Sequence, residues 1–272
     1  MEFSGNLMKM RTQLEAGAKN LAHYHLRLGE TAVPMNDLVG SALTITFRDK
    51  INCIHCGKVT KKSYAQGFCY PCFKTAPEAD PAIIKPELDQ SHLGISRDME
   101  WARENALTDH FVYLALASGV KVGVTRAANL PHRWIDQGAI RAIRLAKTPY
   151  RQLAGLIEVA LKANFADKTN WRKMLTGDVE GDVDLAALKR EAIALLPEEL
   201  AGYRTDDDTL TTIDYPVLHY PSKVTSLGLD KNPVIEGTLT GIKGQYLYLD
   251  EGRVFNIRKH NGYLVNLKVS RP

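Results

Sequence analysis

HFVYLALASGVKVGVTRAANLPHR, residues 110–133, decides how the rest of the chain is read. Phe111–Leu116 and Val120–Thr125 are two β-rich runs joined by Ala117–Ser118–Gly119, the pattern of a hairpin. Each run carries a polar side chain that a buried strand does not need, Tyr113 in the first and Lys121 in the second. Through Arg126 and Pro131 the chain reaches a helix starting near Arg133–Trp134, then a strand-like run at Ala142–Thr148. Pro149–Phe165 reads as a second helix. Thr148 can cap it, and Pro149 at the first helical position loses no hydrogen bond. Leu153, Leu156, Ile157, Ala160 and Leu161 recur at helical spacing and predict its buried face, with Glu158 at the edge. The predicted order is β-β-α-β-α.

With these residues in this order, residues 110–165 resemble the GIY-YIG endonuclease superfamily. Phe111–Val112–Tyr113 stands where that superfamily has Gly-Ile-Tyr, and Lys121–Val122–Gly123 where it has Tyr-Ile-Gly. Phe111 thus replaces a glycine and Lys121 a tyrosine, the latter an exchange found in some of these nucleases. Arg133 takes the place of the arginine on the first helix, two residues late because Ala127–Pro131 is a longer connection. Glu158 takes that of the metal-binding glutamate, and Asn170 that of a late asparagine that steadies the fold. The resemblance implies phosphodiester hydrolysis of nucleic acid with Mg²⁺ or Mn²⁺, Glu158 being the protein ligand. Arg133 would hold the phosphate. Tyr113 would orient or deprotonate the attacking water, with Lys121 helping to lower its pKa. Taken singly, the same residues also fit a strand-core tyrosine, an edge lysine and a structural Arg133–Glu158 ion pair.

The strings KVGVTR, RWIDQGA and DKTNWRKML are similar, more narrowly, to an uncharacterised bacterial family with a zinc ribbon before this module. That resemblance implies that Ala82, Asp89 and Ala106 stand where relatives carry further cysteines, leaving His92 as a remnant of a lost cluster.

The ribbon is legible without any relative. Cys53, Cys56, Cys69 and Cys72 form CxxC, twelve residues, CxxC, and are the only cysteines in the chain. Zinc takes four tetrahedral ligands, and each CxxC knuckle presents two thiolates from one tight turn, so the site is closed and structural. A disulfide reading stays open, but it does not suit a cytoplasmic chain. Cytoplasmic is the default, because no apolar run approaches the ~20 residues of a membrane helix and MEFSGNLMKM lacks a signal-peptide plan.

Charge is uneven although the net is only +4. Lys121–Lys173 holds eleven Lys/Arg against three acidic residues, and Met174–Asp214 holds eleven Asp/Glu against three basic ones. A basic stretch over the hairpin suits a phosphate backbone, with Arg126, His132, Arg141 and Arg144 as the expected contacts. Two faces that neutralise each other are the other possibility.

The expected fold class is α+β, in six parts: a β-rich segment (1–50), the zinc ribbon (51–75), a Pro- and acid-rich connector (76–107), the β-β-α-β-α module (108–176), an acidic helical linker (177–214) and a small β-barrel or meander (215–272). Asp98–Leu107 reads as a short helix, and TNWRKML (169–175) as a capped one after a connection at Ala166–Lys168. The C-terminal strands are expected at Tyr215–Val224, Val234–Ile242, Gln245–Leu249, Arg253–Arg258 and Tyr263–Val269, with Asn261–Gly262 the strongest hairpin cue. The N-terminal β-runs could complete that barrel. Two functions follow: a metal-dependent endonuclease, or a catalytically inactive zinc-containing protein that binds DNA or RNA. A protein-interaction scaffold is a third.

Overall fold

The computed structural model describes residues 1–17, 20–165, 170–179 and 181–270. It is a mixed α+β structure with two sheets. The chain forms two units, one from Met1–Lys74, Leu175–Gly177 and Ile213–Pro272, the other from Thr75–Met174 and Asp178–Thr212.

In chain order, the first unit opens with β1 (Glu2–Glu15), β2 (Leu21–Leu28), β3 (Thr31–Pro34), β4 (Ala42–Asn52), β5 (Val59–Thr60) and the short α1 (Tyr70–Thr75). The second holds α2 (Met99–Asn105), β6 (His110–Leu116), β7 (Val120–Arg126), α3 (His132–Asp136), β8 (Arg141–Thr148) and α4 (Arg151–Leu161). Then come α5 (Trp171–Thr176), α6 (Leu185–Ala194), α7 (Glu198–Ala201) and β9 (Thr211–Thr212). β10 (Thr225–Leu227), β11 (Val234–Lys243), β12 (Tyr246–Leu249), β13 (Arg253–Asn256) and β14 (Tyr263–Ser270) return to the first unit.

The first unit is built on one sheet ordered β10-β13-β12-β11-β4-β14-β1-β2-β3, with β5 added to β4. Segments from both ends of the sequence therefore share it: β14 pairs with β1 through Phe3↔Leu267 and with β4 through Ile45↔Leu267. Alternation explains the local structure. In β2, Ala22, Tyr24, Leu26 and Leu28 are buried while the residues between them are half-exposed.

Two expectations fail here. Tyr215–Val224 is not a strand, because Pro216 and Pro221 remove ladder donors; the strand starts only at Thr225. Asn261–Gly262 does not close a hairpin either. β13 pairs with β12 and β10, and β14 goes to β4 and β1. Gly262 instead has φ +86° and passes so close to Asn52 that a Cβ would lie 2.1 Å from its carbonyl oxygen. The C-terminal aromatics are core: Tyr248, Phe255 and His260 are fully buried, and His260 stacks on Phe255 with ring centroids 4.6 Å apart.

The second unit has a sheet ordered β7-β6-β8-β9. Val112, Leu114 and Leu116 of β6 join Val122, Ile143 and Leu145 in a core against Ala154, Ile157 and Leu161 of α4 and Leu185 and Ala192 of α6. The observed order β6-β7-α3-β8-α4 is the predicted β-β-α-β-α. Helix α4 begins at Arg151, two residues later than expected. Thr148 still belongs to β8 and caps nothing; its Oγ1 donates to the Tyr150 carbonyl at 3.0 Å. The buried face is also rotated, with Ala154, Gly155, Ile157 and Leu161 inside and Leu156 and Val159 exposed.

The rotation has a cause in residues 76–107, which are more than a connector. They form a chain of 3₁₀ turns, of which Pro86–Leu88 lies on α4 over Gly155. Arg151 fastens the same segment, its Nε donating to the Ala82 carbonyl at 3.0 Å and its Nη2 to the Ile83 carbonyl at 2.8 Å. Residues 177–214 are likewise packed, since Leu185, Ala192, Leu196 and Leu200 belong to the core. The expected connection Ala166–Lys168 and Thr169 lie outside the described residues. Asn170 caps α5, its Oδ1 accepting from the N–H of Arg172 at 3.1 Å and of Lys173 at 3.2 Å, while its own N–H donates to Ser118 Oγ at 3.1 Å.

Candidate functional site

Two clusters, one in each unit, carry the chemistry. The first is made by local turns. Cys53 ends the pairing of β4 with β5, and its knuckle is closed by Gly57 N–H donating to the Cys53 carbonyl at 2.9 Å and Cys53 N–H donating to that of Lys58 at 2.9 Å. The return turn is closed by Phe68 N–H to the Tyr64 carbonyl at 2.9 Å, and α1 then carries Cys72. Gly57 supplies the left-handed conformation that the first knuckle needs, with φ +73°.

All four Sγ atoms lie within 4.8 Å of one another, and Cys56 and Cys69 are 3.8 Å apart. A tetrahedral ion with thiolate bonds of about 2.3 Å spaces its sulfurs by about 3.8 Å. The four thiols are free, so the cluster could hold a metal such as zinc. Electrostatics point the same way. Burial pushes the Cys53 thiol up, but the backbone N–H groups of Cys56, Cys69 and His55 outweigh it and hold the group at about 6. Burial and the three other sulfurs push Cys72 up. The four sulfurs would be held together as thiolates only with a cation among them.

The second cluster lies where β6, β7, α3 and α4 meet. Tyr113 is fully buried and sits opposite Gly123 in the β6–β7 ladder, where a Cβ would come 2.7 Å from the phenol oxygen. Its hydroxyl donates to Gln137 Oε1 at 3.0 Å, and the positive charge of Arg133 favours its ionised form. Trp134 meets the ring edge-on, centroids 6.0 Å apart, and its indole Nε1 is buried with no partner among the described residues. Lys121 is buried two positions from Gly123. Burial raises the Tyr113 phenol; Arg133 and Gln137 offset part of that, and the charge of Glu158 adds to it. The expected lowering of its pKa by nearby cations is therefore reversed, because desolvation is the larger effect.

Glu158 is raised by burial, with Lys162, Arg133 and Arg151 opposing and Glu87 reinforcing. Three of the four expected catalytic residues, Tyr113, Arg133 and Glu158, thus act on one another, and Lys121 lies on the same ladder. Of the expected nucleic-acid contacts, Arg126 faces His110 across the β6–β7 pair and His132 opens α3. Arg141 and Arg144 belong instead to ion pairs with the acidic segment, Arg141 with Asp182 at 3.6 Å and Arg144 with Asp207. The charge imbalance of the sequence is in part neutralised within the fold.

No part in a site is expected from the sequence for Gln137, Trp134, Arg151 and Glu87. One signal did exist, the glycine at position 155 inside an amphipathic helix, which marks a close approach by another backbone. As for the expected cluster remnant, His92 stacks on Tyr150 with centroids 4.8 Å apart, and Asp89 Oδ1 accepts from the Ser91 N–H at 3.0 Å. Among the described residues the four cysteines are the one group of three or more His, Cys, Asp or Glu placed to share an ion.

The geometry defines an α+β protein with a four-thiol metal-type cluster and a separate, partly desolvated Tyr–Arg–Glu cluster. The chain belongs to the DUF2797 family, proteins of unknown function, whose profile matches residues 40–265. That span holds the four cysteines and the whole second unit. No curated protein and no solved structure matches the chain. Among the described residues no helix is long and apolar enough to cross a membrane.

Proposed function

We propose that this chain is a metal-dependent phosphodiesterase of the GIY-YIG type that cuts nucleic acid, with a structural zinc ion at Cys53, Cys56, Cys69 and Cys72. The observation that carries it is the cluster of Tyr113, Arg133 and Glu158 on a β-β-α-β-α unit, with the tyrosine lying over Gly123. The partly buried Glu158 carboxylate, raised by its surroundings, fits a divalent ion, which stabilises the form that burial disfavours. Bound there, Mg²⁺ or Mn²⁺ would polarise the phosphate and stabilise the leaving oxygen.

The residues do the rest. Arg133 presents a planar pair of donors to two phosphate oxygens and stabilises the charge that gathers on them. Burial raises the Tyr113 phenol, which favours orienting the attacking water by hydrogen bonding over taking its proton. Lys121 adds positive charge on the same ladder. Trp134 Nε1–H is a buried donor with no partner among the described residues, and it would serve a substrate oxygen or a water.

One observation favours a second reading, binding of nucleic acid without turnover. Tyr113 is fully buried and its hydroxyl is already engaged by Gln137. The test is cleavage of labelled duplex, single-stranded and branched DNA and of RNA with Mg²⁺ or Mn²⁺, using the protein and Glu158→Gln side by side. Metal-dependent cutting that the variant loses supports the nuclease. Binding by both without cutting supports the alternative, and neither binding nor cutting removes both.

A further inference from the structure

We propose that Glu87, from the segment preceding the module, is a second carboxylate ligand of the divalent ion at Glu158. The inference rests on the reading of Glu158 above and adds a ligand that the resemblance does not supply.

The placement comes from Gly155. The turn Pro86–Leu88 lies so close on α4 that a Cβ at position 155 would sit 2.2 Å from the Glu87 backbone N and 2.8 Å from its Cα. Glu158 is three residues on, the neighbouring position on a helix surface. The contact thus sets Glu87 against α4 about one helical turn from Glu158.

Glu87 Oε2 is fully buried and has no hydrogen-bond partner among the described residues. A buried carboxylate oxygen without a donor is costly, and it calls for a proton, a water or a cation. The arginine on the facing helix does not serve it, because the Arg151 Nε and Nη2 donors go to the carbonyls of Ala82 and Ile83. A buried carboxylate oxygen without a partner among the described residues, carried about one turn from Glu158, suits a hard cation, which takes carboxylate oxygens and completes its shell with water. The same contact gives residues 76–97 a role: they bring a ligand to the site that the β-β-α-β-α unit lacks.

The test is Mn²⁺ binding, measured as loss of the free-ion electron paramagnetic resonance signal, on the zinc-loaded full chain. The wild-type protein, Glu158→Gln, Glu87→Gln and Glu87→Asp are compared, with thermal unfolding as a check on folding. The wild-type chain should bind one Mn²⁺ saturably and Glu158→Gln should not. Glu87→Gln should weaken binding by on the order of 10–100-fold, and Glu87→Asp should recover part of it. If Glu87→Gln does not fold, Glu87→Asp carries the test, and it should bind more weakly than wild type. Unchanged affinity in the folded Glu87 variants, with binding lost in Glu158→Gln, overturns the role of Glu87 and leaves Glu158 standing. No saturable binding by the wild-type chain overturns both.

Discussion

Gly155 and His110 show what single residues decide in this fold. In a bare helix alanine is better than glycine by about 1 kcal/mol. At position 155 the added Cβ would meet the Glu87 backbone at 2.2 Å, and backbone cannot rotate away as a side chain can. Gly155→Ala should therefore destabilise by about 1–3 kcal/mol, seen as a lower urea midpoint; an unchanged or higher midpoint would mean that the turn does not press on α4. His110 is fully buried, its Nδ1 bonded to the Thr108 carbonyl at 2.7 Å and its Nε2 unpartnered among the described residues. Burial, with Arg151 and Arg126 nearby, lowers its pKa to about 4, against the opposing pull of Asp89 and the Thr108 carbonyl. The unfolded chain takes up the proton near pH 6.5 and the folded chain only near 4. Stability from this group is therefore full above the unfolded value and falls between the two, by on the order of 3 kcal/mol. Chemical denaturation at pH 7 and pH 4.5 should show the loss, and His110→Phe should reduce it.

At the scale of elements, the acidic segment is held by a buried cation. Lys189 is 3% exposed at its side chain and reaches Asp208 Oδ1 at 2.8 Å and the Asp207 carbonyl at 2.8 Å. The partners are unequal, since Asp208 remains 66% exposed. Lys189→Met keeps the packed stem and leaves a solvated carboxylate behind, so it should cost less than about 1 kcal/mol. Asp208→Ala strips the charge partner from a buried ammonium and should cost about 1–3 kcal/mol. Equal losses in urea titrations would refute this asymmetry. Elements such as this were only half legible in advance. Apolar periodicity and turn residues located β6, β7, β8 and α4 within a few positions, because those signals act between near neighbours. They could not say which strand accepts β14, nor that Pro86–Leu88 covers α4 and turns its buried face, because those contacts join residues far apart in sequence. The four cysteines were legible because their ligand spacing is local. Tyr113, Arg133 and Glu158 were singled out only by a resemblance to a family pattern, and the place of Gln137 and Trp134 beside Tyr113 is set by packing.

For the whole molecule, the four-cysteine cluster belongs to one unit alone. Stripping the metal from the cysteine cluster with a chelator should lower the unfolding midpoint of the unit bearing the large sheet by more than about 10 °C. The transition of residues 75–174 and 178–212 should stay in place, so calorimetry should resolve two events where the loaded protein shows closer ones. A single transition that shifts as a whole would make the units one cooperative body. The placement of β14 between β4 and β1 also sets a schedule for biosynthesis. Each of these flanking strands leaves the ribosome before the strand that joins them. All of residues 75–212 must be made in between, which at roughly 5–20 residues per second takes on the order of ten seconds. During that wait the facing edges of β1 and β4 are open templates for other nascent chains, while the inserted unit has every strand of its own sheet once Thr212 is made. Newly made protein should thus need chaperone cover chiefly for its first seventy residues.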